Sequence, residues 1–151
     1  MATAESLFRL HRRDAAFDFS PVVVDFAKAI ELQTNLVLRR ALVGAKPAER
    51  HANVDGRTVD ITSGEFWGIG TLARVIGETE ELNQALKRRL LHGAVWFTAS
   101  LPPILRELAA LRNPTAHSSA VSRETAKRIR NQILGIGGGS VLVELARVRA
   151  L

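Results

Sequence analysis

The strongest constraint on the fold is a long amphipathic stretch at residues 20–44. Ser20 and Pro21 are typical of a helix start, with serine as the N-cap and proline at the first helical position. One face is apolar at helical spacing and comprises Val23, Phe26, Ile30, Val37 and Ala41. Another face is polar and comprises Asp25, Lys28, Asn35 and Arg39. A helix of this length that buries one face predicts the spine of a helical bundle.

Helical patterns continue through most of the chain. They cover residues 4–16, 63–76, 78–92, 94–112, 122–134 and 141–149, with a break expected at Pro102-Pro103. Thr62 and Glu65 have the spacing of a capping box, and Ser122 and Ser140 are further candidate N-caps. Residues 44–62 contain Asp55-Gly56 and an alternating stretch, which favours a turn or a short hairpin. With residues 4–16 as an N-terminal extension and 141–149 as a short last helix, we expect an all-α bundle of about five helices.

Length and composition fit one cytoplasmic domain. The 151 residues include 46% hydrophobic residues and no cysteine, which excludes disulfides and cysteine-based metal sites. Residues 18–151 are expected to form the bundle, with 1–17 as a helical extension. The N-terminus lacks the apolar core of a signal peptide, and the apolar stretch 90–105 is too interrupted to span a membrane. A net charge of +6, from 17 arginines and 4 lysines against 15 acidic residues, favours a polyanionic partner.

The sequence Arg112-Asn113-Pro114-Thr115-Ala116-His117 carries the clearest chemical signal. Arginine presents a fork of donors that matches phosphate oxygens, and histidine exchanges protons near neutral pH. In an unbroken helix these two side chains would lie about 140° apart. Asn113-Pro114 breaks the helical pattern, so an elbow there could bring both into one pocket. On spacing alone the simpler interpretation remains open: Arg112 ends a helix and His117 is an ordinary loop residue.

The motif and its surroundings resemble the HEPN superfamily. The signature of that family is an arginine, four to six residues and a histidine, often with a polar residue after the arginine, as Asn113 is here. The resemblance covers the chain from about Asp18 to the C-terminus. It rests on the stretches DFSPVVVDFAKAIELQTNLVLRRAL, LPPILRELAALRNPTAH and SRETAKRIRNQILGIGGGS.

The resemblance implies a homodimeric, HEPN-like bundle that acts as a metal-independent endoribonuclease without a cofactor. Two copies of the motif would meet at the dimer interface. His117 would deprotonate the ribose 2′-OH, Arg112 would hold the phosphate, and Asn113 would orient the site. Such a protein would be a toxin or defence effector, with RNA as substrate and an antitoxin or regulatory sensor as a further partner. Some family members carry a modifiable tyrosine two residues after the histidine, where this chain has Ser119. The alternative is a non-catalytic HEPN-like module that binds nucleic acid or a partner protein.

A basic stripe follows the motif. It consists of Arg123, Lys127 and Arg130, which recur at helical spacing after Ser122. These residues are candidates for RNA binding, although a solvated helix face would have the same pattern.

Other chemistries have little support. The four histidines lack metal-site spacing, so we expect no metal, and the segment 135–139 lacks the lysine of a phosphate loop and more simply stops a helix.

Overall fold

The computed structural model describes residues 2–112 and 120–150, which are mostly helical, as the sequence predicts. The α-helices are α1 (Ala2–His11), α2 (Ser20–Ala41), α3 (Pro47–Arg50), α4 (Ile69–Glu78), α5 (Glu80–Arg89), α6 (Leu101–Arg112), α7 (Arg123–Leu134) and α8 (Val141–Arg147). The short strands are β1 (His51–Val54), β2 (Arg57–Asp60), β3 (Leu90–His92) and β4 (Arg149–Ala150). The described residues thus form eight α-helices, so the prediction of about five was too low.

Helix α2 is the spine of the fold. It packs against α1, α4, α6, α7 and α8. The five apolar residues predicted to face inward are all buried, and Phe26 and Ile30 have no exposed surface. Burial of large apolar side chains is the main favourable term in folding, and α2 supplies the largest continuous share of them. Asn35, predicted to lie on a polar face, is instead completely buried.

Three predicted helix boundaries are confirmed, namely two starts and one end, and one further start is corrected. The hydroxyl oxygens of Ser122 and Ser140 accept hydrogen bonds from Thr125 N–H and Val143 N–H, both at 3.2 Å. Gly135 ends α7 in the left-handed conformation (φ 78°) that glycine adopts without strain. At α2, by contrast, Phe19 occupies the N-cap position and Ser20 is the first helical residue.

The predicted hairpin is present. Strands β1 and β2 are antiparallel and joined by Asp55-Gly56, with φ of 52° and 81° at these two positions. Two successive positive φ values are the requirement of a tight two-residue hairpin turn, and Asp-Gly satisfies it readily. The capping box predicted at Thr62 is wrong, because Asp60 binds the Thr62 hydroxyl and α4 begins only at Ile69.

Two further segments differ from the prediction. The helix predicted over 78–92 ends at Arg89, and Leu90–His92 pairs antiparallel with β4 near the C-terminus. The helix predicted over 141–149 therefore ends at Arg147. Pro102 and Pro103 do not interrupt the helical segment, and they are the second and third residues of α6. A π-helical turn, Trp96–Ser100, leads directly into α6.

Candidate active site around Arg112

Arg112 is the last residue of α6, and its side chain is held by α2. Its Nη1 donates a hydrogen bond to Glu31 Oε2 over 2.5 Å. The Arg112 side chain is 34% exposed and that of Glu31 is 20% exposed. A charge-assisted pair at this distance is stronger than a neutral hydrogen bond, and partial burial shields it from salt. Arg112 is therefore anchored while part of its surface remains in contact with solvent.

The carboxylate of Glu31 is itself fixed from a second side. Its Oε2 also accepts a hydrogen bond from the backbone N–H of Ile69 over 2.8 Å. Ile69 is the first residue of α4, where N–H groups lack helical partners and the helix dipole favours negative charge. One oxygen of Glu31 thus accepts hydrogen bonds from both the Arg112 guanidinium of α6 and the first N–H of α4.

Glu31 is the first of three polar side chains that bind the segment before α4. Asn35, one turn further along α2, accepts from Trp67 N–H and donates to Trp67 O, both over 2.9 Å. Arg39, another turn along, donates to the carbonyls of Gly64 and Glu65 over 2.9 and 2.7 Å. We call residues 64–69 the strapped segment. The spacing i, i+4, i+8 places these three side chains on one side of α2.

An open depression lies beside Arg112. It is lined by Arg112, Ala109 of α6 and the start of α4 at Gly68, Ile69 and Gly70. Its walls carry only small side chains apart from Arg112 and Ile69. A Cβ added at Gly70 would lie 3.7 Å from Ala109 Cβ, which is an ordinary van der Waals distance. The depression therefore offers an uncrowded surface next to one cationic side chain.

Asn113 and His117 lie outside the described residues. On the far side of that gap, Val121 is fixed to the start of α2: Phe19 N–H donates to Val121 O over 3.1 Å, and Val121 N–H donates to Asp18 Oδ1 over 3.0 Å. Asp18 also accepts from the hydroxyl and N–H of Ser20, and the Ser20 hydroxyl is the main cause that lowers the pKa of Asp18. The residues just before and just after 113–119 are thus attached to Glu31 in the middle of α2 or to the residues at its start.

The three side chains of the predicted basic stripe on α7 differ in their exposure and in their ion pairs. Lys127 and Arg123 are exposed, and Arg123 pairs with its neighbour Glu124 over 2.9 Å. The Arg130 side chain is only 15% exposed and is bound through two nitrogens to both oxygens of Glu5, at 2.5 and 2.6 Å. Arg130 also lies over the ring of Phe8, 5.0 Å from its centre. Arg130 therefore cannot reach a polyanion unless its pair with Glu5 breaks.

Among the described residues, no cluster of three histidine, cysteine or acidic side chains has the geometry to hold a metal ion. In the same part of the chain, no helix is long and apolar enough to cross a bilayer. Trp67 is partly buried against the core and donates its indole N–H to Ile61 O over 2.9 Å.

The sequence analysis missed Glu31, Asn35 and Asp18. Glu31 lies 81 residues from Arg112 along the chain, so no local motif contains both. A signal was nevertheless present, because Glu31, Asn35 and Arg39 recur at intervals of four on a helix whose apolar face was already assigned.

No protein-family model, curated protein or solved structure shows a significant match to this chain.

Proposed function

We propose that this protein is a metal-independent endoribonuclease of the HEPN toxin or defence-effector type. The observation that carries the proposal is the setting of Arg112. It stands at a helix end, is held by a fixed carboxylate, is partly exposed, and borders an open depression with small side chains. An anchored guanidinium loses less side-chain entropy when it binds a phosphate than a freely rotating one.

The proposed reaction is cleavage by the 2′-OH of the substrate itself. His117 removes the proton from the ribose 2′-OH, whose oxygen attacks the adjacent phosphorus. The bond from phosphorus to the 5′-oxygen breaks, and a second His117, from the partner copy, protonates that oxygen. Arg112 stabilises the added negative charge, and Asn113 orients the site. The products carry a 2′,3′-cyclic phosphate and a 5′-OH.

This reaction requires a homodimer, in which two motifs form one composite cleft. The proposal places the protein in the cytoplasm with RNA as substrate, and with an antitoxin or a regulatory sensor as the partner that restrains it. Sedimentation analysis should give the mass of a dimer. A strictly monomeric protein that still cleaves RNA would exclude the composite site.

A second candidate function is a non-catalytic HEPN-like module that binds nucleic acid or a partner protein. The observation in its favour is the same ion pair. Glu31 joins Arg112 to the first N–H of α4, and such a contact stabilises a helix junction whether or not any chemistry takes place there. The two functions differ in whether RNA is cut.

The test is incubation of 5′-labelled RNA with the protein in EDTA. We expect cleavage by the wild type, 2′,3′-cyclic phosphate ends, no cleavage of DNA, and no cleavage by His117→Ala. His92→Ala is the matched control, since His92 is an exposed histidine on β3 outside the motif, and it should cut like the wild type. Equal rates for His117→Ala and wild type would exclude the proposed site. RNA that is bound but left intact by the wild type would support the second candidate.

A further inference from the structure

The contact between α2 and the end of α6 assigns a further residue to the proposed reaction. We infer that Glu31 is a positioning residue, which holds the Arg112 guanidinium in the orientation that binds the phosphate in the transition state. This inference rests on the proposed endoribonuclease function. Glu31 itself would neither touch the RNA nor move a proton.

The first argument is the geometry at one oxygen. Glu31 Oε2 accepts Arg112 Nη1 at 2.5 Å and Ile69 N–H at 2.8 Å. The Ile69 N–H belongs to the first residue of α4, whose side chain is buried, so it fixes the carboxylate in the protein frame. A surface arginine without such a support samples many rotamers, and ordering it costs free energy at the moment of binding.

The second argument is that the support is rigid beyond Glu31. Asn35 is completely buried, binds both backbone groups of Trp67, and donates to the carbonyl of Glu31 as well. The strapped segment is therefore fixed to α2 just where Glu31 meets Ile69. A catalytic group must be held within a fraction of an ångström to stabilise a transition state well, which this arrangement permits.

The third argument comes from a comparison with a second ion pair made by α6. Arg106, also on α6, pairs with Glu78 at the end of α4 over 3.0 Å, with side-chain exposures of 50% and 57%. That pair is solvated on both sides, and such pairs contribute little. The Arg112 pair is shorter, less exposed and joined to a backbone donor. The Arg106 pair thus provides a control for loss of an ion pair between α4 and α6 without loss of the proposed positioning.

The experiment compares Glu31→Ala, Glu31→Gln and Glu78→Ala in the RNA cleavage assay. For Glu31→Ala we expect kcat to fall at least tenfold with KM changed by less than about threefold, because binding of the ground state survives while transition-state stabilisation is lost. Glu31→Gln should recover most of the rate, because its single amide oxygen can accept both hydrogen bonds. Glu78→Ala should match the wild type.

Two additional measurements separate positioning from a loss of folded protein. Binding of an RNA with a 2′-deoxy cleavage site should be nearly unchanged in Glu31→Ala, whereas a misfolded protein would lose it. In an Arg112→Ala background, measured with enzyme in excess, Glu31→Ala should cause no further loss of rate, because the group that Glu31 positions is gone.

Other outcomes overturn the inference in distinguishable ways. If the wild type cleaves and Glu31→Ala cleaves at the same rate, Glu31 has no positioning role and the proposed function stands. If Glu31→Ala cleaves faster or binds RNA more tightly, Glu31 competes with the phosphate for Arg112. If the wild type does not cleave RNA, the proposed function fails and the inference fails with it.

Discussion

The guanidinium of Arg112 and the carboxylate of Glu31 connect three helices at one point. Arg112 belongs to α6, Glu31 to α2, and Ile69, which shares the carboxylate oxygen, begins α4. The sequence could single out Arg112, because an arginine followed by a helix break and a histidine is a local pattern. It could not single out Glu31 as its partner, because that contact exists only after α2 and α6 have packed together.

Replacement of Arg112 by lysine should reduce RNA cleavage by at least about tenfold, equivalent to about 1.4 kcal/mol in the barrier. Lysine retains the charge, but its ammonium group lacks the planar set of donors that can bind Glu31 and a phosphate together. Arg106→Lys is the control, because Arg106 lies on the same helix in an exposed pair. Single-turnover rates of the two variants give the comparison. An Arg112→Lys enzyme as fast as the wild type would reduce Arg112 to a general electrostatic role.

The pair of Arg130 with Glu5 makes stability depend on pH. Hydrogen bonds from Arg130 are the main cause that lowers the pKa of Glu5 from 4.5 to about 2. A carboxylate with a lowered folded-state pKa contributes stability above its unfolded pKa of 4.5, and this contribution is lost as the pH falls towards 2. We expect the free energy of unfolding in urea to fall from pH 6 to pH 3, and to fall less in Glu5→Gln. Glu107→Gln, which removes a more exposed partner from Arg128 on the same helix, should retain the wild-type pH profile.

At the scale of elements, the boundaries that the sequence predicted correctly depend on neighbouring residues. Ser122 and Ser140 each bind an N–H three residues away, and Gly135 adopts its positive φ at the end of its own helix. The start of α4 depends instead on Glu31 and Asn35, more than thirty residues away. The pairing of β3 with β4 likewise joins two short strands from distant parts of the chain. Helical periodicity contains no information on such contacts, so the helices predicted there ran too long.

Asn35→Ala should destabilise the fold by about 2–4 kcal/mol, because it leaves the N–H and carbonyl of Trp67 without their partner in a partly buried place. Asn83→Ala is the matched control: within the described part of the chain the Asn83 side chain makes one hydrogen bond, to Ile76 O over 3.1 Å, and its loss should cost about 1 kcal/mol. Urea unfolding, followed by Trp67 fluorescence in a Trp96→Phe background, measures both. Equal destabilisation by the two variants would show that Asn35 does not hold the strapped segment.

At the scale of the whole molecule, most of the arginines are paired with acidic side chains. Eleven of the 17 arginines form ion pairs among the described residues. Arg130 is the clearest case, since its pair with Glu5 attaches α7 to α1. Of the three α7 residues that the sequence predicts to bind RNA, Arg123 and Lys127 are exposed, whereas Arg130 is part of the packing between helices.

If Arg123 and Lys127 contact the RNA backbone, the double change to alanine should weaken binding and reduce the salt slope of log K by roughly 1.4, or about 0.7 for each lost phosphate contact. The rate on saturating RNA should remain, because neither residue moves a proton. Arg57→Ala with Lys87→Ala is the matched control, since it removes the same charge from exposed positions on β2 and α5. A control that lowers the slope equally would assign the effect to net charge alone. A double variant with the wild-type slope would show that this face of α7 is only a solvated surface.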